Sequence, residues 1–189
     1  MSPHRFVSEI WNAVKGKPWF LTIRNHRNWP EGIWDFTGGG EYVGHSAGGG
    51  VGHGPGAMVG AAFAARDRGQ FAVGVLGDGD FMMSSGALWT AAHYKVPLLV
   101  IINNNLSWYN DEEHQVEVAK MRGRPPENAW IGTTTRDPEV DHASLARGWG
   151  CWAEGPIEKP DDFGPALKRA IKQVEAGRVA VLDVRTKPR

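Results

Sequence analysis

The chain has 189 residues, of which 21 are basic and 21 acidic, so its size fits one domain and its formal net charge is zero. A protein that binds nucleic acid usually carries a basic excess, which this sequence lacks. It shows neither an apolar run near the roughly 20 residues of a membrane span nor a signal-peptide core, so a cytoplasmic protein without membrane contact is expected. The single cysteine, Cys151, excludes an internal disulfide, a zinc ribbon and an iron–sulfur cluster built by this chain alone.

Candidate strands and helices alternate along the chain, and the uninterrupted apolar run at residues 98–102 is typical of a central strand in a parallel sheet. Strands are predicted at residues 19–23, 71–76, 98–102, 151–153 and 179–184, and helices at residues 55–66, 84–94, 143–147 and 161–177. Ser84 or Ser85 is predicted to cap the second helix, and Asp141 the third. This order predicts an α/β fold, a three-layer sandwich in which a mostly parallel sheet is flanked by helices on both faces. The segment 104–141 is predicted as a long irregular loop, a kind that is usually functional.

Glycine is concentrated in one stretch, since residues 38–60 contain 11 of the 25 glycines. Eleven glycines in regular structure would cost about 5–10 kcal/mol relative to alanine, which is comparable to the net stability of a whole domain. The stretch is therefore either a flexible linker or a backbone that must come close to a ligand. The aromatic neighbours Trp34, Phe36 and Tyr42 and the helix that follows favour the second interpretation, because a glycine-rich loop at a helix N-terminus binds anions.

Polar side chains follow two of the predicted strands at the point where each strand ends. Strand 71–76 runs into Gly-Asp-Gly-Asp at residues 77–80, and strand 98–102 runs into three asparagines at residues 103–105. If the two strands are parallel neighbours, Asp78 and the asparagines meet at the sheet edge where α/β proteins bind their ligands. A carboxylate with amide oxygens suits Mg²⁺ or Ca²⁺ rather than zinc, and flanking glycines let a phosphate approach the backbone. The sequence therefore predicts a diphosphate held through a metal ion.

Other interpretations of these motifs compete with this one. A Gly-Asp-Gly sequence by itself is only a turn, and an EF-hand loop from Asp78 would require Glu at its twelfth position, where Trp89 stands. Gly52-x-Gly54-x-x-Ala57, with Asp78 about twenty residues further on, fits the relaxed dinucleotide-binding fingerprint, but no predicted strand directly precedes it. An NAD(P)-dependent Rossmann oxidoreductase therefore stays open as the alternative enzyme.

The Gly-Asp-Gly motif at residues 77–79, followed after 25 residues by Asn105, resembles the signature of thiamine-diphosphate-dependent enzymes. Residues 48–54 resemble the glycine segment that this family carries ahead of its first helix. Similarity to the benzoylformate decarboxylase and acetolactate synthase branch extends over residues 87–97, 141–146 and 181–184. The resemblance implies two regions, an N-terminal extension with the first strand at residues 1–47 and a thiamine-diphosphate-binding domain of the diphosphate type at residues 48–189.

The resemblance also implies roles for individual residues. Mg²⁺ would be bound by the side chains of Asp78 and Asn105 and by the backbone carbonyl of Ser107, and it would hold the diphosphate of thiamine diphosphate. Gly49 would accept a hydrogen bond from the aminopyrimidine, and Val51 would support the bent cofactor, although the family usually carries a larger residue there. The implied cofactor-binding residues are Gly49, Gly50, Val51, Gly77, Asp78, Gly79, Asp80, Asn105, Ser107, Trp108 and Tyr109. The candidate catalytic residues are His45 and His114.

Two departures from the family pattern bear on function. Asp80 stands where this branch often has serine, and it resembles the β subunits of 2-oxoacid:ferredoxin oxidoreductases, whose iron–sulfur cluster one cysteine cannot build. The family's pyrimidine-binding domain, with the glutamate that protonates the aminopyrimidine, has no room in 189 residues. The resemblance therefore implies either a fragment of such an enzyme or, as the favoured interpretation, the diphosphate-binding subunit of a heterotetramer or larger assembly whose second chain carries that domain.

The implied reaction makes or breaks a C–C bond next to the carbonyl of a small molecule. Decarboxylation of a 2-oxo acid, carboligation of the acetolactate synthase type and cleavage of a 2-hydroxyacyl thioester all fit the resemblance. A regulatory subunit that keeps the fold without the chemistry is the non-enzymatic alternative. The intact pair Asp78 and Asn105 argues against it, because a retired site has no need of metal ligands.

Overall fold

The computed structural model of the chain describes residues 1–24, 29–30, 32–44 and 50–187. Its strands are β1 (Trp19–Arg24), β2 (Phe71–Gly77), β3 (Leu98–Asn104), β4 (Trp152–Ile157) and β5 (Val179–Arg185). They form one sheet in the order β1-β2-β3-β5-β4, and each neighbouring pair is parallel. The predicted α/β fold with its parallel sheet is thereby confirmed.

Helices cover both faces of this sheet. They are α1 (Pro3–Val14), α2 (His53–Asp67), α3 (Asp78–Ser84), α4 (Ala87–His93), α5 (Tyr109–Met121), α6 (His142–Gly148) and α7 (Pro160–Glu175). One hydrophobic core joins the sheet to α1 and α7, and it includes Phe6 and Phe163. The other core joins the sheet to α2 and α4, and it includes Met58 and Leu88. The three-layer arrangement agrees with the prediction.

The burial of the central strand, β3, explains why apolar and polar residues do not alternate in its sequence. All seven residues of β3 are buried. Leu99 and Ile101 contribute to the core beneath α1 and α7, while Val100 and Ile102 contribute to the core on the opposite face. A strand that is covered on both faces needs an apolar side chain at each position. The polar residues that follow Ile102 therefore mark the place where the sheet reaches its edge.

The helix predicted at residues 84–94 is wrong in its boundaries, because two short helices occupy this region. α3 begins at Asp78, directly at the end of β2, and α4 begins only at Ala87. Ser84 is the last residue of α3 and not a cap. The cap predicted at Asp141 is confirmed, since its side chain accepts a hydrogen bond from the Ser144 backbone N–H at 2.7 Å.

The segment 104–141, predicted as an irregular loop, contains the 13-residue helix α5. No residue of α5 is buried. A helix that packs against the body of its domain shows an apolar stripe, and α5 lacks one, so its sequence does not display a helical period. The loop prediction is corrected for this reason.

α1 is not among the predicted elements, although Ser2 caps it and Pro3 opens it. It buries Phe6 and Ile10 in the same core as α7, and β1 pairs with β2. Residues before position 47 thus share the sheet and core of the residues that follow, and the boundary at 47 stays a prediction. Among the helices that the structure describes, none combines the length and the apolar composition that a bilayer crossing requires.

Candidate functional site

The two polar strand ends lie side by side, as the sequence predicts. β2 and β3 are parallel neighbours with Gly77 in register with Asn103. Thr135 connects the two ends, because its N–H donates to the Leu106 carbonyl just beyond β3 and its hydroxyl donates to the Asp78 carboxylate just beyond β2. Asp78 therefore faces the turn that contains Asn105 and Ser107, at the carboxyl edge of the sheet.

Asp78 is a buried carboxylate, only 2% exposed, at the first position of α3. Burial raises the pKa of Asp78 to about 6, while hydrogen bonds from Thr135 and from backbone N–H groups oppose this rise. The Thr135 hydroxyl donates to Asp78 Oδ2 at 3.1 Å. In the part of the chain that the structure describes, no Lys or Arg forms an ion pair with Asp78. A divalent cation beside this carboxylate would favour its ionised form.

The turn opposite Asp78 is held by its own asparagine side chains. Asn104 Oδ1 accepts a hydrogen bond from the Leu106 N–H at 3.2 Å, and Asn105 Oδ1 accepts one from the Ser107 N–H at 3.0 Å. Leu106 has a positive φ of 61°, which closes the turn tightly. A carbonyl oxygen has two lone pairs, so Asn105 Oδ1 can bind a cation while it keeps this hydrogen bond.

A buried network supports this turn from β5. Asn104 Nδ2 donates to Asp183 Oδ1 at 2.9 Å, and Arg185 Nη1 donates to Asn104 Oδ1 at 3.3 Å. The other end of the Arg185 guanidinium binds Glu139 Oε2 at 2.7 Å. Burial also raises the pKa of Asp183 to about 6. Asn104 is fully buried, and both its amide nitrogen and its amide oxygen are hydrogen-bonded. It therefore fixes the backbone position from which Asn105 follows.

We refer to residues 77–80 and 104–107 as the metal motif. α3 connects this motif to the end of the glycine stretch. Asp80 Oδ1 accepts a hydrogen bond from the Gly52 N–H at 2.5 Å, and Ser84 Oγ donates to the Gly52 carbonyl at 2.6 Å. Gly52 has φ +93°, and a Cβ at Gly54 would lie 1.9 Å from Asp80 Oδ2. Glycine is therefore required at position 52 because of the positive φ, and at position 54 because Asp80 lies too close for a side chain. The linker interpretation does not fit residues 50–54, which are clamped against α3.

The remaining cofactor-binding candidates lie around this edge. Gly77 is the cap residue before α3, and Trp108 is the cap residue before α5. The Trp108 indole covers Gly79 so closely that a Cβ there would lie 2.1 Å from Trp108 Nε1. Tyr109 opens α5. That the Gly79 and Asp80 backbone amides face a diphosphate stays a prediction, while the Asp80 carboxylate itself binds Gly52.

The glycine stretch is described only from its end. Gly50 is exposed, and its carbonyl accepts a hydrogen bond from the His53 N–H at 3.3 Å. Val51 is 45% exposed and lies directly beside the clamped Gly52. Gly49 and His45 fall outside the described residues. The roles proposed for Gly49, Gly50 and Val51 stay predictions.

The second catalytic candidate, His114, lies on α5 and is exposed. It lines a cavity of about 430 Å³ between α5 and residues 122–129. A different histidine lies behind the metal motif, since His142 is 1% exposed and packs edge-on against Phe81 of α3 at 5.6 Å between ring centroids. Burial, with a contribution from Arg185, lowers the pKa of His142 to about 4 and keeps it neutral near pH 7. A catalytic role for His114 stays a prediction.

Sequence reasoning missed several residues that shape this site. Thr135, His142 and Arg185 reach it from distant segments; no motif marks Thr135 or Arg185, and the family-like segment 141–146 gave His142 no role at the site. Asp183 did carry a signal, because a single acid in the apolar run 179–184 is unusual for a buried strand.

The oxygen ligands brought together here fit a magnesium ion. They are one carboxylate and one amide, with the Ser107 backbone nearby, and no nitrogen or sulfur ligand among them. Within the described residues, no group of three His, Cys, Asp or Glu side chains could hold a metal. A site with so few protein ligands suits Mg²⁺, which completes its shell with water and phosphate oxygens. The same residues are a poor fit for zinc.

Comparison with known proteins agrees with this geometry. The family model described as "Thiamine pyrophosphate enzyme, C-terminal TPP binding domain" matches residues 23–184. Benzoylformate decarboxylase from Pseudomonas aeruginosa is 32% identical over 145 residues, which cover 74% of this chain and 24% of that protein. Sulfoacetaldehyde acetyltransferase from Alcaligenes xylosoxydans xylosoxydans is 27% identical over 129 residues, which cover 67% of this chain and 19% of that protein.

A solved structure shows the same architecture over the whole chain. Thiamine diphosphate-dependent 4-hydroxybenzoylformate decarboxylase from Rhodococcus jostii RHA1 superposes with a TM-score of 0.78 at 26% identity, covering 99% of this chain and 33% of its own. This chain thus spans a third or less of the length of these relatives. The dinucleotide-binding alternative needs a strand directly before Gly52, whereas the described residues 50–52 hold no strand.

Proposed function

The chain belongs to the thiamine pyrophosphate enzymes, whose C-terminal cofactor-binding domain it matches, and we propose that it is the diphosphate-binding subunit of a Mg²⁺-dependent lyase or carboligase. The observation that carries this proposal is the meeting of Asp78 with the Asn105–Ser107 turn at the carboxyl edge of the sheet. Its substrate is a small molecule with a carbonyl group, and the bond made or broken is the C–C bond next to that carbonyl.

The residues of this chain bind and orient the cofactor. Asp78, Asn105 and the Ser107 carbonyl hold Mg²⁺, and the backbone at Gly79 and Asp80 meets the diphosphate. When bound, thiamine diphosphate supplies an electron sink for the carbonyl carbon that gains charge. The Asp80–Gly52 hydrogen bond fixes the segment that carries Val51 relative to Asp78, so the residues that would contact the two ends of the cofactor are joined through α3.

Decarboxylation of a 2-oxo acid is the favoured reaction. Its support is that a curated relative at 32% identity and a solved structure at 26% identity are both 2-oxo acid decarboxylases by name. The acetyltransferase relative keeps carboligation as the second candidate. Which of the two applies depends on residues that contact the substrate, and those lie partly in the remaining length of such enzymes.

The other half of the active site comes from a second chain in this proposal. That chain carries the pyrimidine-binding domain and its glutamate, in a heterotetramer or larger assembly. Support comes from α5, which buries no residue, and from the exposed side chains of Met83, Trp89 and Tyr94 on α3, α4 and the residue after α4. Exposed apolar surface of this kind marks protein interfaces.

The test is a mild native purification of the chain together with its bound proteins and small molecules, which mass spectrometry identifies. An assay then measures CO₂ release from benzoylformate and from pyruvate. We expect thiamine diphosphate, magnesium and a second chain, and turnover only when both chains are present. A folded chain that carries neither cofactor nor metal, and that binds neither when both are added, would contradict the function. Turnover by the purified chain alone would contradict the second chain but not the cofactor.

A further inference from the structure

Another cavity lies at the end of β1, where Arg24 is in register with Val75 of β2. It has a volume of about 330 Å³ and is lined by Arg24, Trp29, Gly32, Trp34, Phe36 and Tyr42, and we refer to it as the aromatic cavity. Its size is at the lower end of the range of small-molecule pockets. Arg24 ends β1, whereas Asp78 follows β2. Trp29 and Trp34 belong to the core beneath α1 and α7, on the face of the sheet opposite α2.

The walls of the aromatic cavity are rigid rings in mutual contact. Trp29 and Trp34 lie 5.6 Å apart between centroids, Trp34 and Phe36 lie 6.2 Å apart, and Phe36 and Tyr42 lie 6.1 Å apart. Trp29 is 5% and Trp34 3% exposed, so packing fixes both. The Tyr42 backbone bridges to Leu21 at the edge of β1. Such walls bind a flat apolar group by offset or edge-on ring contacts.

Among the described residues, Arg24 is the only charged residue in this lining, and it has no acidic partner among them. Its guanidinium lies over the Trp29 ring at 5.6 Å, and its half-buried side chain has little access to water. Glu41 is an acid on the same segment, and its carboxylate accepts hydrogen bonds from the Thr37 N–H at 2.7 Å, the Thr37 hydroxyl at 2.8 Å and the Gly38 N–H. A half-buried cation without a counter-ion favours an anionic ligand.

Two donor groups at the aromatic cavity are also unused. In the described part of the chain, Arg24 Nε and Trp34 Nε1 are shielded from solvent and have no hydrogen-bond partner. Burial raises the pKa of the Tyr42 phenol, while the neighbouring Arg24 guanidinium opposes this rise. Buried donors without acceptors destabilise a protein, so these groups keep unused hydrogen-bonding capacity beside the aromatic cavity.

We propose that the aromatic cavity is a second ligand site, and that it binds a small aromatic carboxylate through the Arg24 guanidinium. One cation sets the charge of the ligand at minus one, and the planar guanidinium fork matches a carboxylate. The rings of Trp29, Trp34 and Phe36 enclose the aromatic group. A doubly charged phosphate would have too few donors here, and a neutral ring would leave Arg24 without its counter-ion.

The test is isothermal titration of the full chain with benzoate, benzamide and acetate. Benzoate is expected to bind one site, and benzamide and acetate are each expected to bind about tenfold more weakly or worse, since one lacks the charge and the other the ring. Equal affinity for benzoate and benzamide would overturn the proposal. This comparison uses the unaltered chain, so it does not depend on how a variant folds.

Variants locate the site. Arg24→Gln is expected to abolish benzoate binding, and Trp34→Phe, which keeps a ring but removes the N–H, is expected to weaken it several-fold. Arg68→Gln, at an exposed guanidinium after α2, is the matched control and should bind benzoate as the unaltered chain does. Asp78→Ala separates the two sites: benzoate binding that is lost in Asp78→Ala but kept in Arg24→Gln would place benzoate at the metal motif and overturn the proposal.

Discussion

Two neighbouring regions at the carboxyl edge of the sheet are built in opposite ways. The metal edge, residues 77–80 and 104–107, is buried, and hydrogen bonds join it to Asp183 of β5, to Thr135 and to Gly52. The α5 arm, residues 109–134, is separated from the metal edge by a single residue, and yet only Ala129 and Thr133 are buried in it. The arm is anchored at its two ends, where Trp108 N–H binds the Thr133 carbonyl and Thr135 N–H binds the Leu106 carbonyl.

This difference indicates that the chain forms the metal edge by itself but leaves the surface of the α5 arm uncovered. Among the described residues, no shielded side-chain polar atom of the metal edge lacks a hydrogen-bond partner. The α5 arm instead exposes Val118, Met121, Trp130 and Ile131, between 45% and 86% of each. An isolated helix of about 13 residues is only marginally stable in water without packing. The arm is therefore expected to gain its order from another surface, whereas the metal edge is already rigid.

The largest expected effect is at the metal edge. Asp78→Asn should lower Mg²⁺-dependent binding of thiamine diphosphate by about 100-fold or more, because it removes the charged ligand of the metal. Asp67→Asn, at the exposed end of α2, is the matched control and should bind normally. Titration calorimetry with Mg²⁺ and with EDTA measures both. Unchanged affinity in Asp78→Asn would show that the metal edge does not hold the cofactor.

The clamp between α3 and the glycine stretch gives the next effect. Gly54→Ala should destabilise the chain by about 1–3 kcal/mol, because the new Cβ would lie 1.9 Å from Asp80 Oδ2 and 2.7 Å from Leu76 Cδ2. Gly56→Ala lies in the same helix with no atom within 4 Å of its new Cβ, and it should be neutral or stabilise by up to about 1 kcal/mol. Urea unfolding of both variants measures the difference. Equal stabilities would mean that the 50–54 turn is not clamped.

His142 makes the metal edge sensitive to acid. Because burial lowers the pKa of His142 from 6.5 to about 4, the unfolded chain binds this proton more readily than the folded chain. The stability that neutral His142 contributes is fully present above pH 6.5 and is lost as the pH falls toward 4, by up to about 3 kcal/mol. His142→Phe keeps the ring contact with Phe81 and should remove this loss.

The measurement is the free energy of unfolding of both proteins at pH 7 and pH 4.5. Asp78 and Asp183, whose raised pKa values change stability in the opposite direction, are present in both proteins, so the difference between the two curves isolates His142. Curves that run parallel between the two pH values would contradict the buried, neutral state of His142.

The smallest effect is expected in the α5 arm. Met121 is 86% exposed, so Met121→Ser should change the stability of the chain alone by no more than about 0.5 kcal/mol. Hydrogen–deuterium exchange should be fast throughout α5 and slow in β3. Protection of α5 equal to that of β3 in the chain alone would remove the contrast between the two regions. Loss of the second chain in Met121→Ser would place the interface on the arm.

How far the sequence predicts this molecule depends on how local the signal is. The Gly-Asp-Gly motif, the asparagines and the five strands are visible because each is a contiguous pattern whose spacing follows from a parallel sheet. α5 was missed because a helix without a buried face has no apolar period. The boundary between α3 and α4 was missed because Ser84 is a typical cap residue that here ends a helix and donates to Gly52.

The sequence by itself determined the α/β fold and the placement of Asp78 and Asn105 at the ends of two neighbouring strands, since both follow from strand patterns and from the rule that parallel strands end at one edge. Only the tertiary structure decided that Thr135, Asp183 and His142 surround that edge, and that Arg24 shares a cavity with Trp34. The physical reason is that these residues meet through burial and hydrogen bonding across distant segments. Such contacts leave no period and no fixed spacing in a single sequence.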